Sequence, residues 1–134
     1  MLTRRRRRRQ ELQNIASLGD FNELSISGHV EHPPQLHEDE DGWQVWTFVL
    51  THTTTRPGGW ERQLYDVQAH NELGQHYAAT WQPNRTTIID GRLEHDVYQT
   101  LAGPVHSASI VAHRIDTTLG AHPHPRTNSQ QRDG

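Results

Sequence analysis

Eleven histidines and thirteen arginines carry most of the chemistry open to this 134-residue chain. Imidazole is a common ligand for zinc, copper or nickel, and His29 with His32, or His122 with His124, have usable separations. No four ligands fall at a recognisable spacing, and there is no cysteine to complete a set, so no metal site is expected. No Ser/His/Asp set, paired carboxylates or glycine-rich phosphate loop stands where it could be catalytic. Asp39 and Glu40 fall in an acidic loop, and Gly58-Gly59 reads as a hairpin turn. Neither an enzyme nor a cofactor is expected. Binding chemistry remains, in the arginine run 4–9 and in three aromatics beside loops, Trp43, Trp60 and Tyr98.

The charge is unevenly spread. All 13 basic residues are arginine, and six of them form the run 4–9. Setting that run aside leaves 7 Arg against 16 Asp and Glu, a balance of −9 for a body that would have to meet phosphates. The run itself reads as a nucleic-acid arm, a solvated basic tail or an extension from a wrongly chosen start codon. On single-stranded phosphates each such charge would steepen the salt dependence by about 0.7.

The elements that would position these groups lie in the middle of the chain. Residues 1–20 form an Arg-rich and Gln/Asn-rich leader and residues 117–134 a polar tail, both expected to be flexible. Between them, residues 21–116 hold the apolar periodicity of one small domain. In the first strand Leu24, Ile26 and Val30 share a face. Pro33-Pro34 ends it, and an acidic loop follows at residues 38–41. A second strand at 43–53 puts Trp46, Phe48 and Leu50 on one face, with Val45, Thr47 and Val49 on the other. Arg56-Pro57-Gly58-Gly59 signals a turn. A third strand at about 62–70 alternates Tyr65, Val67 and Ala69 with Leu64, Asp66, Gln68 and His70.

The period then changes. Leu73, Tyr77 and Trp81 make one stripe of a short helix over 71–81, with Asn71 as its N-cap and Pro83 as its stop. Residues 85–95 and 105–115 give a fourth and fifth strand, joined by a loop that carries the exposed Tyr98. No apolar run approaches the ~20 residues that span a membrane. The basic leader has no apolar segment after it, so a cytoplasmic protein is expected.

Four stretches carry a resemblance to a known family. They are Asn22 through Val30, Val45-Trp46-Thr47-Phe48-Val49-Leu50-Thr51, the helix ending near Trp81, and Gly91-Arg92-Leu93 with the residues after it. In pattern and spacing they resemble the bacterial single-stranded DNA-binding proteins over about residues 21–116. The resemblance implies an all-β, five-stranded OB-fold barrel with one short helix between the third and fourth strands. It also implies sequence-independent binding of single-stranded DNA, with bases stacked on aromatics and phosphates met by arginine, in replication, recombination or repair.

Carried over residue by residue, Tyr98 matches the stacking aromatic of the fourth-to-fifth-strand loop. His70 could stack, and Trp60 lies near Thr55, where the family commonly has an aromatic. Arg56, Arg62, Arg85 and Arg92 are the phosphate candidates. Asp66 would repel a phosphate and Leu64 stacks poorly. The family's assembly implies a homo-oligomer, a tetramer or a dimer. Its acidic C-terminal tip, which recruits replication and repair proteins, has no counterpart in Gln130-Gln131-Arg132-Asp133-Gly134, so a divergent or accessory member is expected. The competing expectation is an OB-fold interaction module that has largely lost DNA binding and contacts a protein, favoured by the acidic body.

Overall fold

The computed structural model describes residues 20–121, and the side chains of residues 20–118. The arginine run 4–9 and most of the polar tail, including His122 and His124, lie outside the described residues. Six strands and one helix follow in the order β1 (Leu24–Gly28), β2 (Gln35–Glu38), β3 (Gln44–Arg56), β4 (Gly59–His70), α1 (Asn71–Thr80), β5 (Arg85–Thr100) and β6 (Gly103–Ala121). All join one sheet in the order β1-β5-β6-β4-β3-β2. Every pairing is antiparallel except that of β4 with β6, which meet in parallel at Val67 and Ile110. Beyond β1, His29 and Thr51 exchange two backbone hydrogen bonds of 3.0 and 2.8 Å, bringing the chain back against β3.

The all-β expectation holds, with one helix among the described residues, in the expected place. The strand count does not. Six strands replace the expected five, and the continuous ladders do not close into the expected barrel. The additional strand is β2, which hydrogen-bonds to the first half of β3 where a loop was expected. All four of its residues are exposed, so it has no apolar alternation to announce it. Proline carries no N–H, and Pro33-Pro34 separates β2 from the run of β1. β6 also runs to Ala121, past residue 116 where the sequence pattern ended.

The core follows from the alternation. Phe48 and Leu50 of β3, Val67 and Ala69 of β4, Ile89 of β5 and Ile110 of β6 are buried together with Val30. Helix α1 covers them by its apolar stripe. Tyr77 packs on Phe48 with ring centroids 4.9 Å apart, and burial pushes the Tyr77 hydroxyl up from its ordinary pKa, partly offset by a hydrogen bond with Thr87. Trp81 packs against the same cluster and its indole N–H donates to the Val30 carbonyl at 2.9 Å. Trp46 meets the helix at Gly74, where a Cβ would collide with the indole ring and lie 2.6 Å from the Ala69 carbonyl oxygen. Only glycine admits so close a helix–sheet approach.

Asn71 does not cap the helix as expected. It begins α1 at φ 50°, and its side-chain oxygen accepts a 3.1 Å bond from the Gln44 amide. His70 occupies the cap position without a side-chain bond. Asn is among the few residues that tolerate a left-handed backbone, so it serves here as the corner between β4 and α1.

Candidate nucleic-acid interface

Successive side chains of a strand point to opposite faces, so inward Val67 and Ala69 on β4 leave Trp60, Arg62, Leu64, Asp66, Gln68 and His70 on the outer face. Their partners on β3 are Thr55, Thr53, Thr51, Val49, Thr47 and Val45. Trp60 thus stands directly across the ladder from Thr55. An aromatic ring therefore lies on the rung of Thr55.

The same face continues onto β5 and β6. Gln68 Nε2 donates to Ser109 Oγ at 3.1 Å, and Ser109 lies opposite Glu94. Counting in twos along β5 from Glu94 reaches Asp96 and then Tyr98, whose partner is Val105. Because β4 and β6 are parallel, the β3–β4 and β5–β6 hairpins extend toward the same end of the sheet. Trp60 and Tyr98 stand near the two tips, 49% and 56% exposed.

Tyr98 is not in a loop. The ladder between β5 and β6 continues to Thr100 and Gly103, and only Leu101 and Ala102 turn the corner. The ring is therefore carried on a paired strand, which restrains its backbone. The run Glu94-His95-Asp96 hid this, because charged residues on both faces erase the apolar alternation of a strand. On the opposite face of this hairpin, His95 and His106 stack at 5.0 Å with their ring nitrogens 2.9 Å apart.

The remaining expected residues divide. His70 is half-buried, meets Trp43 edge-on at 5.6 Å and bonds to the Gln68 amide oxygen at 2.9 Å. Arg62 shares the outer face and approaches Glu31 at 3.9 Å. Arg92 shares it too, donating to Glu94 at 3.0 Å and to His113 Nε2 at 2.8 Å. Arg56 points the other way: it is opposite Gly59 in the ladder and pairs with Glu61 at 2.7 Å. Arg85 binds Gln82 and the Thr118 carbonyl, at the far end of β5 from Tyr98. Tyr98, Trp60, His70, Arg62 and Arg92 are thus brought to one face, and Arg56 and Arg85 are not. Three of the four arginines already face a carboxylate, which offsets their charge locally.

The sequence reading missed a groove of about 570 Å³ on this face. Its floor is Thr47, Val49, Leu64 and Asp66, its far wall Ser109, and its near wall the Glu31–Gln35 segment. Glu31 is occupied: its carboxylate bonds to His29 at 3.1 Å, and this bond, with the Arg62 guanidinium nearby, holds it below the usual glutamate range despite some desolvation. No group of three His, Asp or Glu gathers around a common centre among the described residues.

A deletion mutant of the single-stranded DNA-binding protein from Thermus aquaticus superposes with a TM-score of 0.62 at 15% identity, over 75% of this chain and 51% of that one. The chain thus spans about half the length of that protein. The small single-stranded DNA-binding protein from Streptomyces coelicolor superposes with a TM-score of 0.53 at 18% identity, over 72% of this chain and 94% of that one. This chain has their fold. No protein-family model and no curated protein sequence matches it. The topology of six strands with one helix after β4 among the described residues is therefore an OB-like variant.

Proposed function

We propose that this chain is a non-catalytic binder of single-stranded DNA, a divergent or accessory member of the bacterial single-stranded DNA-binding proteins. The reading is carried by the continuous outer face that bears Trp60 and Tyr98 at two neighbouring hairpin tips, joined through Gln68 and Ser109. Bases stack on the two exposed rings, and any base offers a π-face, so binding is largely independent of sequence. Arg62 and Arg92 meet phosphates by exchanging Glu31 and Glu94 for the strand, a trade between charge partners that costs little at exposed sites. The arginine run 4–9 adds contacts that any sequence satisfies. In this reading the protein acts in replication, recombination or repair, assembles as a homo-oligomer, and works in the cytoplasm at the nucleoid. None of the described helices is long and apolar enough to cross a membrane.

A fluorescence titration with poly-dT, on chains with and without residues 1–20, tests this. Saturable binding that weakens with salt supports it. No binding by either chain at low salt overturns it. That result favours the second reading, an interaction module that contacts a protein, for which Asp66 in the groove and the carboxylate-paired arginines speak.

A further inference from the structure

We propose that the groove beside Asp66 is a base-reading subsite that prefers guanine; this rests on the single-stranded DNA reading. Asp66 stands opposite Val49 in the β3–β4 ladder, with Leu64 two residues away on the same face. Leu64 and Val49 are both exposed, at 69% and 42%, so the carboxylate lies between two apolar surfaces open to a ligand. Two of the polar side chains beside it are already engaged. Glu31 is held by His29 and Arg62, and the Gln68 amide bonds to Ser109 through its nitrogen and to His70 through its oxygen. Among the described residues no cation pairs with Asp66. Of the two carboxylates that line the groove, Glu31 is paired and Asp66 is not.

The chemistry selects the occupant. A phosphate is repelled by the carboxylate, so a strand crossing this face turns its backbone away and its base inward. A base that enters displaces water from Asp66 and must replace those hydrogen bonds. Guanine presents N1–H and the N2 amino group side by side, two donors matched to the two carboxylate oxygens in a charge-assisted bidentate pair. Thymine offers one N–H flanked by two carbonyl oxygens, which face the carboxylate unfavourably. The flat ring meets Leu64 and Val49, and a volume of about 570 Å³ lies within the range of about 300–1,000 Å³ of small-ligand clefts.

The test compares oligonucleotides of repeating d(TTG), d(TTI) and dT of equal length, titrated at low salt against the full chain. Inosine lacks the N2 amino group and keeps N1–H. The expected order is guanine, inosine, thymine, with guanine favoured over thymine about five- to tenfold, the low end of a bidentate base contact because Asp66 is exposed. In Asp66→Asn the preference should fall below about twofold while affinity for dT holds or rises. Equal affinities for all three in the parent chain overturn the inference and leave single-strand binding standing. A preference that survives Asp66→Asn unchanged also overturns it. Absence of binding to every oligonucleotide overturns the functional reading with it, and leaves the groove to a cationic peptide.

Discussion

Gln68 on β4 and Ser109 on β6 are hydrogen-bonded side chain to side chain at 3.1 Å, beside the parallel pairing of Val67 with Ile110 and Gln68 with Val111. The bond lies where the β3–β4 and β5–β6 hairpins come together before extending to their tips. It makes the outer surfaces of the two hairpins one face, so that Trp60 and Tyr98 can serve the same ligand.

Tyr98→Ala should weaken binding to dT by ~1–3 kcal/mol, the usual loss of one stacked base. Its thermal unfolding should change little, since the ring is exposed and outside the core. Trp60→Ala should act in the same direction, and the double variant should lose about the sum if the tips hold different bases. Binding titrations with matched melting curves check this. Undiminished affinity in both single variants would mean the strand runs elsewhere.

Asp66→Arg should tighten binding to dT by replacing a repulsive charge with a phosphate partner. The slope of log affinity against log salt should steepen by about 0.7 for one added contact. Titration at three or more salt concentrations reads it directly.

Removing residues 1–10 takes away the arginine run and should flatten the same slope while weakening binding to every oligonucleotide alike. An unchanged slope would assign the run to a solvated tail.

Gly74→Ala should destabilise the fold by ~1–3 kcal/mol, because the new methyl group enters the space of the Trp46 ring and the Ala69 carbonyl. Gly91→Ala should do the same, against the Val111 carbonyl across the β5–β6 ladder. Urea unfolding is the measurement, and a midpoint equal to the parent's in both would contradict the packing described for α1 and β6.

The Glu31 carboxylate is held below its ordinary pKa chiefly by the hydrogen bond from His29. A group whose folded pKa is depressed adds stability above its unfolded value, about 4.3, and loses it as pH falls through the folded value. Glu31→Gln should therefore lose stability relative to the parent at pH 6 and show a shallower decline below about pH 4.3. The effect is modest because the side chain is 46% exposed and screened by water. Urea midpoints between about pH 6 and pH 3 would show it, and parallel curves for the two proteins would count against it.

The alternation of β3 and β4 was readable from residues alone. Burial on one face demands period two, and Phe48, Leu50, Val67 and Ala69 keep it while Leu64 and Asp66 stay out. The stripe Leu73, Tyr77, Trp81 marked the helix for the same reason at a different period. The residue types at Trp60 and Tyr98 raised the expectation of stacking, and the ladder places both on exposed positions of one face. What tertiary structure decided were the relationships that no local period encodes. β2 forms because the backbone of Gln35–Glu38 finds the free edge of β3, a pairing indifferent to its exposed side chains. Tyr98 sits on a strand because ladder bonds between β5 and β6 need no apolar face to continue. The pairing of Arg62 with Glu31, the joining of Gln68 to Ser109 and the groove around Asp66 bring together residues from β4, β6 and the chain before β2. Such contacts depend on how the whole sheet curves its strands against one another, and the curvature is a property of the assembled core rather than of any segment.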